Sequence, residues 1–275
     1  MVYQKHIPKF PLDSFIDSII YIEGNNKGTG LPKTAMSLVF NLEDHFKLFT
    51  DGSFSKHIDY QKFWVAGLQT KPTHVESYGR SRMFLVQFKA LGAFAFIKDP
   101  LHYYSNEYIT LDHVFHKEAD ETWEKLQEAN SLNHQFAIIE NFLFGRISGN
   151  KLAHPKRLVA LGTLFDQGAN LTIHDICHKL NISRKHLNHL LKEYAGVSPK
   201  TLSSLFRLQR SLKTISRSRS DKLTNVAYQL GYFDQSHFIN DFKRFTDLKP
   251  KEYTRIVETR PSLKVVPHFI PFGSW

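Results

Sequence analysis

The sequence predicts an α+β chain, with a β-rich front half that ends in helices and an all-α rear half. Three observations carry this. In the stretches Ser37–Leu42 and Arg82–Phe88 apolar residues alternate at period two; from about Glu118 the spacing lengthens to that of a helix; and the rear half repeats itself at a period near fifty residues.

The β elements come first. In "SLVFNL" (Ser37–Leu42), Leu38, Phe40 and Leu42 share one face, and "HFKLFTDGSF" runs into Asp51-Gly52, a hairpin-turn pair. "RMFLVQF" (Arg82–Phe88) has apolar residues on both faces, so both faces should be covered. Trp123 and Leu126, then Phe136, Ile139, Leu143 and Ile147, fall on helical stripes. "ISGNK" (Ile147–Lys151) reads as a helix end and linker. A helix follows from Pro155 to near Gly168, and "PKTLSSLFRLQRSLKTI" carries another apolar stripe before the basic turn "SRSRSDK". The expected divisions are 1–150, 151–257 and a non-helical tail, 258–275.

At 275 residues the chain has room for two domains, and 41% hydrophobic content is that of a globular protein. No run approaches the length of a membrane span, and the first residues lack a signal-peptide pattern, so a cytoplasmic protein with no membrane partner is expected. The single cysteine, Cys177, leaves no thiol for an internal disulfide. Charge divides unevenly. Residues 151–275 hold 21 Lys and Arg against 9 Asp and Glu, whereas residues 1–150 hold 15 against 17. A basic bias confined to one half points to a polyanionic partner for that half.

The repeat says which. At a shift of 50, Ile173, Ile176, Cys177, Leu180 and Ile182 fall on Leu223, Val226, Ala227, Leu230 and Tyr232. Past the turn the shift becomes 51, and His186, Leu187, Leu191, Lys192, Pro199 and Lys200 fall on His237, Phe238, Phe242, Lys243, Pro250 and Lys251. Each copy reads as a short helix, a tight turn and a longer helix capped by Ser183 or Asp234. That is the helix-turn-helix plan, whose second helix enters the DNA major groove. The front of the second long helix, "DQSH" (Asp234–His237), suits it: Gln, Ser and His can hydrogen-bond base edges.

These residues resemble the AraC/XylS family. "LTNVAYQLGYFDQSHFINDFKRFTDLKPKEY" follows its pattern through Val226-Ala227, Gly231-Tyr232, Ser236-His237-Phe238, Phe242-Lys243 and Pro250-Lys251-Glu252-Tyr253, and "SRKHLNHLLKEYAGVSPKTL" and "RLQRS" (Arg207–Ser211) extend the likeness over 155–256. Two departures stand out: Cys177 replaces the usual Ala, and Asp247 stands where glycine is common. The resemblance implies two helix-turn-helix units joined by a linking helix, and a transcriptional regulator, usually an activator, that binds double-stranded DNA and contacts RNA polymerase. It places base contacts at Lys185, Asn188 and His189, with Arg184 flanking them, and at Gln235, Ser236, His237 and Asn240. Charge and position nominate Lys192, Lys243, Arg244 and Lys251 for phosphates.

For the front half the resemblance implies a sensor or dimerisation domain, with a small-molecule effector or homodimer contact as its control, and the strands are expected to form a cupin-like β-sandwich or barrel. The Phe136–Ile147 helix is the candidate dimer contact. Phe40, Trp64, Phe84 and Phe88 are read as core ahead of pocket lining. The alternatives are a front domain that binds a protein partner or has enzymatic activity. No Gly-rich phosphate loop or Gly-x-Ser-x-Gly is present, and the pairs His113/His116 and His174/His178 lack a third ligand nearby. No enzyme, metal or cofactor is therefore expected.

Overall fold

The computed structural model describes residues 2–25, 27–49, 54–149, 155–167, 171–217, 223–260 and 268–271. The Asp51-Gly52 turn, Asn150, Lys151, Gly168 and the basic turn at 218–222 lie outside the described residues.

The front half holds strands β1 (Val2–His6), β2 (Ile16–Gly24), β3 (Lys27–Gly30), β4 (Ser37–Asn41), β5 (Phe46–Phe49), β6 (His57–Tyr60), β7 (Phe63–Ala66), β8 (Thr73–Ser77), β9 (Ser81–Phe88) and β10 (Tyr108–Thr110). All pairings are antiparallel, and they build two sheets. One has the order β1-β2-β9-β4-β7-β10. In the other, β3, β8, β5 and β6 follow one another. Alternation along β9 divides its side chains between two cores, as the period-two pattern predicts. Phe84, Val86 and Phe88 join the main core, while Met83 packs with Val39, Phe46, Leu48, Tyr60 and Trp64. Phe40, Trp64, Phe84 and Phe88 are all buried, in keeping with the core reading.

Helices α1 (Leu111–Phe115), α2 (Lys117–Glu128) and α3 (Leu132–Gly149) then cover the first sheet. Phe136 meets Phe84 edge-on at 5.3 Å between ring centroids, and Phe142 meets Phe40 at 5.9 Å. Phe136, Ile139 and Leu143 are buried in the domain's own core, so a dimer contact on this helix would use another face, where Phe144 is exposed.

The rear half is helical: α4 (Pro155–Gln167), α5 (Ile173–Leu180), α6 (Arg184–Ala195), α7 (Pro199–Arg217), α8 (Leu223–Gln229), α9 (Gln235–Thr246) and α10 (Pro250–Thr259). The last helix runs two residues past position 257, the expected domain end. The tail is not idle. Its residues Phe269–Pro271 form β11, which pairs antiparallel with β3 and completes the second sheet. Ile270 is fully buried there. The space beside Gly28 is taken: a Cβ would lie 2.5 Å from the Ile270 carbonyl oxygen.

Candidate nucleic-acid interface

Both units assemble from local signals. In the first, the Thr172 hydroxyl accepts from the Asp175 amide at 3.2 Å, and the Asp175 carboxylate accepts from the Thr172 amide at 2.8 Å, closing a capping box on α5. Those Thr172 hydrogen bonds hold the Asp175 carboxyl below its ordinary pKa. Asn181 turns the chain in a left-handed conformation, φ 51°, and the Ser183 hydroxyl caps α6 by accepting from the His186 amide at 3.1 Å. In the second unit Gly231 makes the same turn at φ 75°, and the Asp234 carboxylate accepts from the His237 amide at 2.7 Å.

Each recognition helix buries one face and opens the other. Leu187, Leu191 and Ala195 anchor α6, while Arg184, Lys185, Asn188, His189 and Lys192 point to solvent. On α9, Phe238, Phe242 and Phe245 are buried, Ser236, His237, Asn240, Lys243 and Arg244 are exposed, and Gln235 is half-buried. Lys251 is exposed in the first turn of α10. The twelve nominated residues thus fall into two clusters, one per unit, with α7 packed against both α6 and α9. Cys177 is buried behind the first, and Asp247 adopts the left-handed conformation, φ 57°, that glycine favours.

Some nominated side chains are engaged within the protein, His189 and Arg244 through carboxylates. His189 Nε2 lies 3.2 Å from the Glu193 carboxylate one turn on. Arg244 donates to Asp241 at 2.9 Å, and Arg207 of α7 approaches the other oxygen of that carboxylate at 3.4 Å. Arg207 also donates to Ser204 Oγ at 3.0 Å and lies over the Tyr232 ring. Burial pushes the Tyr232 hydroxyl up to about 12. Asp241 is therefore a nearly buried carboxylate that ties α9 to α7 and orients Arg244. Reading the sequence alone misses this residue. Its signal is an acid on the recognition helix, which must face away from phosphate.

The front domain touches the first unit directly. Ser105 Oγ donates to the Gly196 carbonyl at 2.6 Å, and Phe94 meets Tyr194 edge-on at 5.8 Å. Gly196, at φ 83°, ends α6 so closely against Leu101 that a Cβ would lie 2.7 Å from its carbonyl oxygen. On α7, Gln209 donates to the Pro32 carbonyl at 2.5 Å.

Between the two halves lies a cleft of about 490 Å³, walled by Lys33, Met36 and Phe88 on one side and by Gly162, Phe206 and Gln209 on the other. Lys33 is enclosed by protein yet reached by solvent through the cleft, and burial lowers its pKa from 10.5 to about 8, partly opposed by Asp17. His268, next to β11, also lines the cleft; its Nδ1 has no partner among the described residues. Burial, with a smaller effect from Lys33, lowers its pKa to about 3. Among the described residues no three His, Cys, Asp or Glu side chains come together as a metal site. No described helix is long and apolar enough to cross a membrane.

Comparison with known proteins matches residues 176–256 to a helix-turn-helix domain and residues 4–110 to a domain of unknown function, DUF6597. The raffinose operon transcriptional regulatory protein RafR of Pediococcus pentosaceus is 35% identical over 86 residues, which is 31% of each chain. The lactose operon transcription activator of Staphylococcus xylosus is 27% identical over 84 residues, 30% of each chain. The match thus spans about three-tenths of these relatives' length. Among solved structures, ToxT from Vibrio cholerae aligns with a TM-score of 0.49 and 14% identity, covering 92% of this chain and 98% of that one. Residues 176–256 are thus similar to the helix-turn-helix domains of transcriptional regulators.

Proposed function

We propose that this chain is a sequence-specific DNA-binding transcriptional regulator, an activator, controlled through its front domain. The observation that carries the reading is the pair of capped recognition helices in one basic domain, each exposing a polar front face. In this reading Arg184, Lys185, Asn188 and His189 meet one major-groove segment, and Gln235, Ser236, His237 and Asn240 meet the next, about one helical turn away. Lys192, Lys243, Arg244 and Lys251 take backbone phosphates, and Asp241 aims Arg244. RNA polymerase is the partner that turns binding into activation.

The interdomain cleft is the proposed effector site. A lysine there keeps its charge at a desolvation cost with no carboxylate bonded to it among the described residues. That suits a small molecule with an anionic group, held by both halves at once. A homodimer remains part of the proposal, through a surface other than the buried face of α3.

Selection of binding sites from a random duplex library with the full chain tests the reading. Two preferred blocks about one helical turn apart support it; a basic protein with no sequence preference would sink it. Gln235→Ala should relax preference at one base pair, costing about 1–3 kcal/mol against the best site. Lys243→Ala should weaken all sequences alike and reduce the salt slope by about one. Identical behaviour of the two variants would refute the division of roles.

A further inference from the structure

The two turns that precede the recognition helices are not equal, and the difference is one residue. In the first unit the left-handed Asn181 is followed by Ile182 and then by the cap Ser183. In the second, the left-handed Gly231 is followed by Tyr232, then Phe233, then the cap Asp234. The rest of the turn is superimposable in its bonding. The Ile182 amide donates to the Cys177 carbonyl at 3.0 Å, and the Tyr232 amide donates to the equivalent Ala227 carbonyl at 3.1 Å. Phe233 is therefore an insertion into an otherwise repeated design.

Its side chain stays outside the core. Phe233 is 87% exposed, the highest value among the exposed large apolar side chains of the described residues, whereas its neighbour Tyr232 is buried. A turn needs no aromatic ring held in water, and any small polar residue would serve there. The position matters more than the exposure, since single exposed apolar residues are common. Phe233 stands directly before the helix cap, at the end of α9 that holds Gln235, Ser236 and His237. The Asp234 carboxylate is engaged in capping, and Ser236 and His237, just beyond it, are exposed as Phe233 is.

We propose that Phe233 is an apolar DNA contact, seated on a thymine methyl group in the major groove at the entry of the second recognition helix. The inference rests on the DNA-binding reading above and extends it to a residue type that hydrogen-bond readout does not need. The thymine C5-methyl is the apolar feature a duplex presents in the major groove, and an aromatic ring is a fitting partner for it. The second unit thereby gains a preference that the first unit, lacking the insertion, does not have.

The test uses the full chain and the duplex it selects. Phe233→Ala should weaken binding about five- to tenfold, the scale of one lost apolar contact, and leave the salt slope unchanged because no phosphate is released. Thermal unfolding should change little, since the side chain is 87% exposed. Replacing each thymine in turn by deoxyuridine should reveal one position where loss of the methyl weakens the native chain but not Phe233→Ala. Unchanged affinity of Phe233→Ala overturns the inference, as does a loss that flattens the salt slope or couples to no thymine. If the native chain selects no duplex at all, the DNA-binding reading falls and takes this inference with it.

Discussion

Lys33→Met should make the protein more stable at neutral pH, although it removes a charged residue from the interdomain cleft. The ammonium's pKa falls from 10.5 to about 8 in the folded chain because burial strips its hydration. At about 1.4 kcal/mol per pH unit, a fall of this size costs roughly 3 kcal/mol, and solvent reaching the cleft reduces that to about 1–3 kcal/mol. The unfolded chain binds the proton more readily, so the penalty is absent above pH 10.5, grows as pH falls and is complete below about 8. Linkage then leaves only about a quarter of the gain at pH 10. Urea unfolding of both proteins at pH 7 and pH 10 measures this. A less stable variant at pH 7, or a gain of equal size at both pH values, would refute the reasoning. A confirmed gain would identify Lys33 as a group kept at the expense of stability, as binding sites often require.

Two further outcomes follow from buried contacts. Asp241→Asn should lower stability by about 1–3 kcal/mol, because two arginines lose their shared carboxylate, one of them largely buried; a change under about 0.5 kcal/mol in denaturant unfolding would show that the pair is dispensable. Gly28→Val should expel β11, since its branched side chain would collide with the Ile270 carbonyl and the Phe269 ring. Amide exchange at Leu31, whose N–H donates to the His268 carbonyl at 2.7 Å, should accelerate, and unchanged exchange would refute the collision.

What was legible in the sequence was local. Caps at Ser183 and Asp234, the period of α6 and α9, and the alternation of β9 each depend on residues within a few positions of one another. Their outcomes agree with the structure almost residue for residue. The apolar stripe of α3 was legible as a stripe, but a stripe does not state its partner, and the partner is the first sheet rather than another chain. The remaining features join distant positions. Arg207 meets Asp241 across 34 residues, and Gln209 meets Pro32 across 177. Lys33 and His268 line one cleft from opposite ends of the chain. Three residues of β11, one of them proline, are too short a run to signal a strand, and β3 fixes them by offering an open edge.

The way the two halves meet constrains how any signal would travel. The nominated base-contacting residues are already accessible with the halves docked, so control by simply uncovering the recognition helices does not fit this conformation. The contacts instead converge on the C-terminal end of α6 and on α7: Ser105 at Gly196, Phe94 at Tyr194, and Pro32 at Gln209. Pro32 adjoins Lys33 in the cleft wall, and α7 is the helix on which the second unit is held through Arg207 and Asp241. A molecule that shifts that wall would therefore act on α7 and alter the placement of both units together. In the proposed mechanism the front domain sets the alignment of two exposed helices against successive grooves. This is a smaller change than exposing a buried surface, and a few kcal/mol of differential binding is enough to bias it.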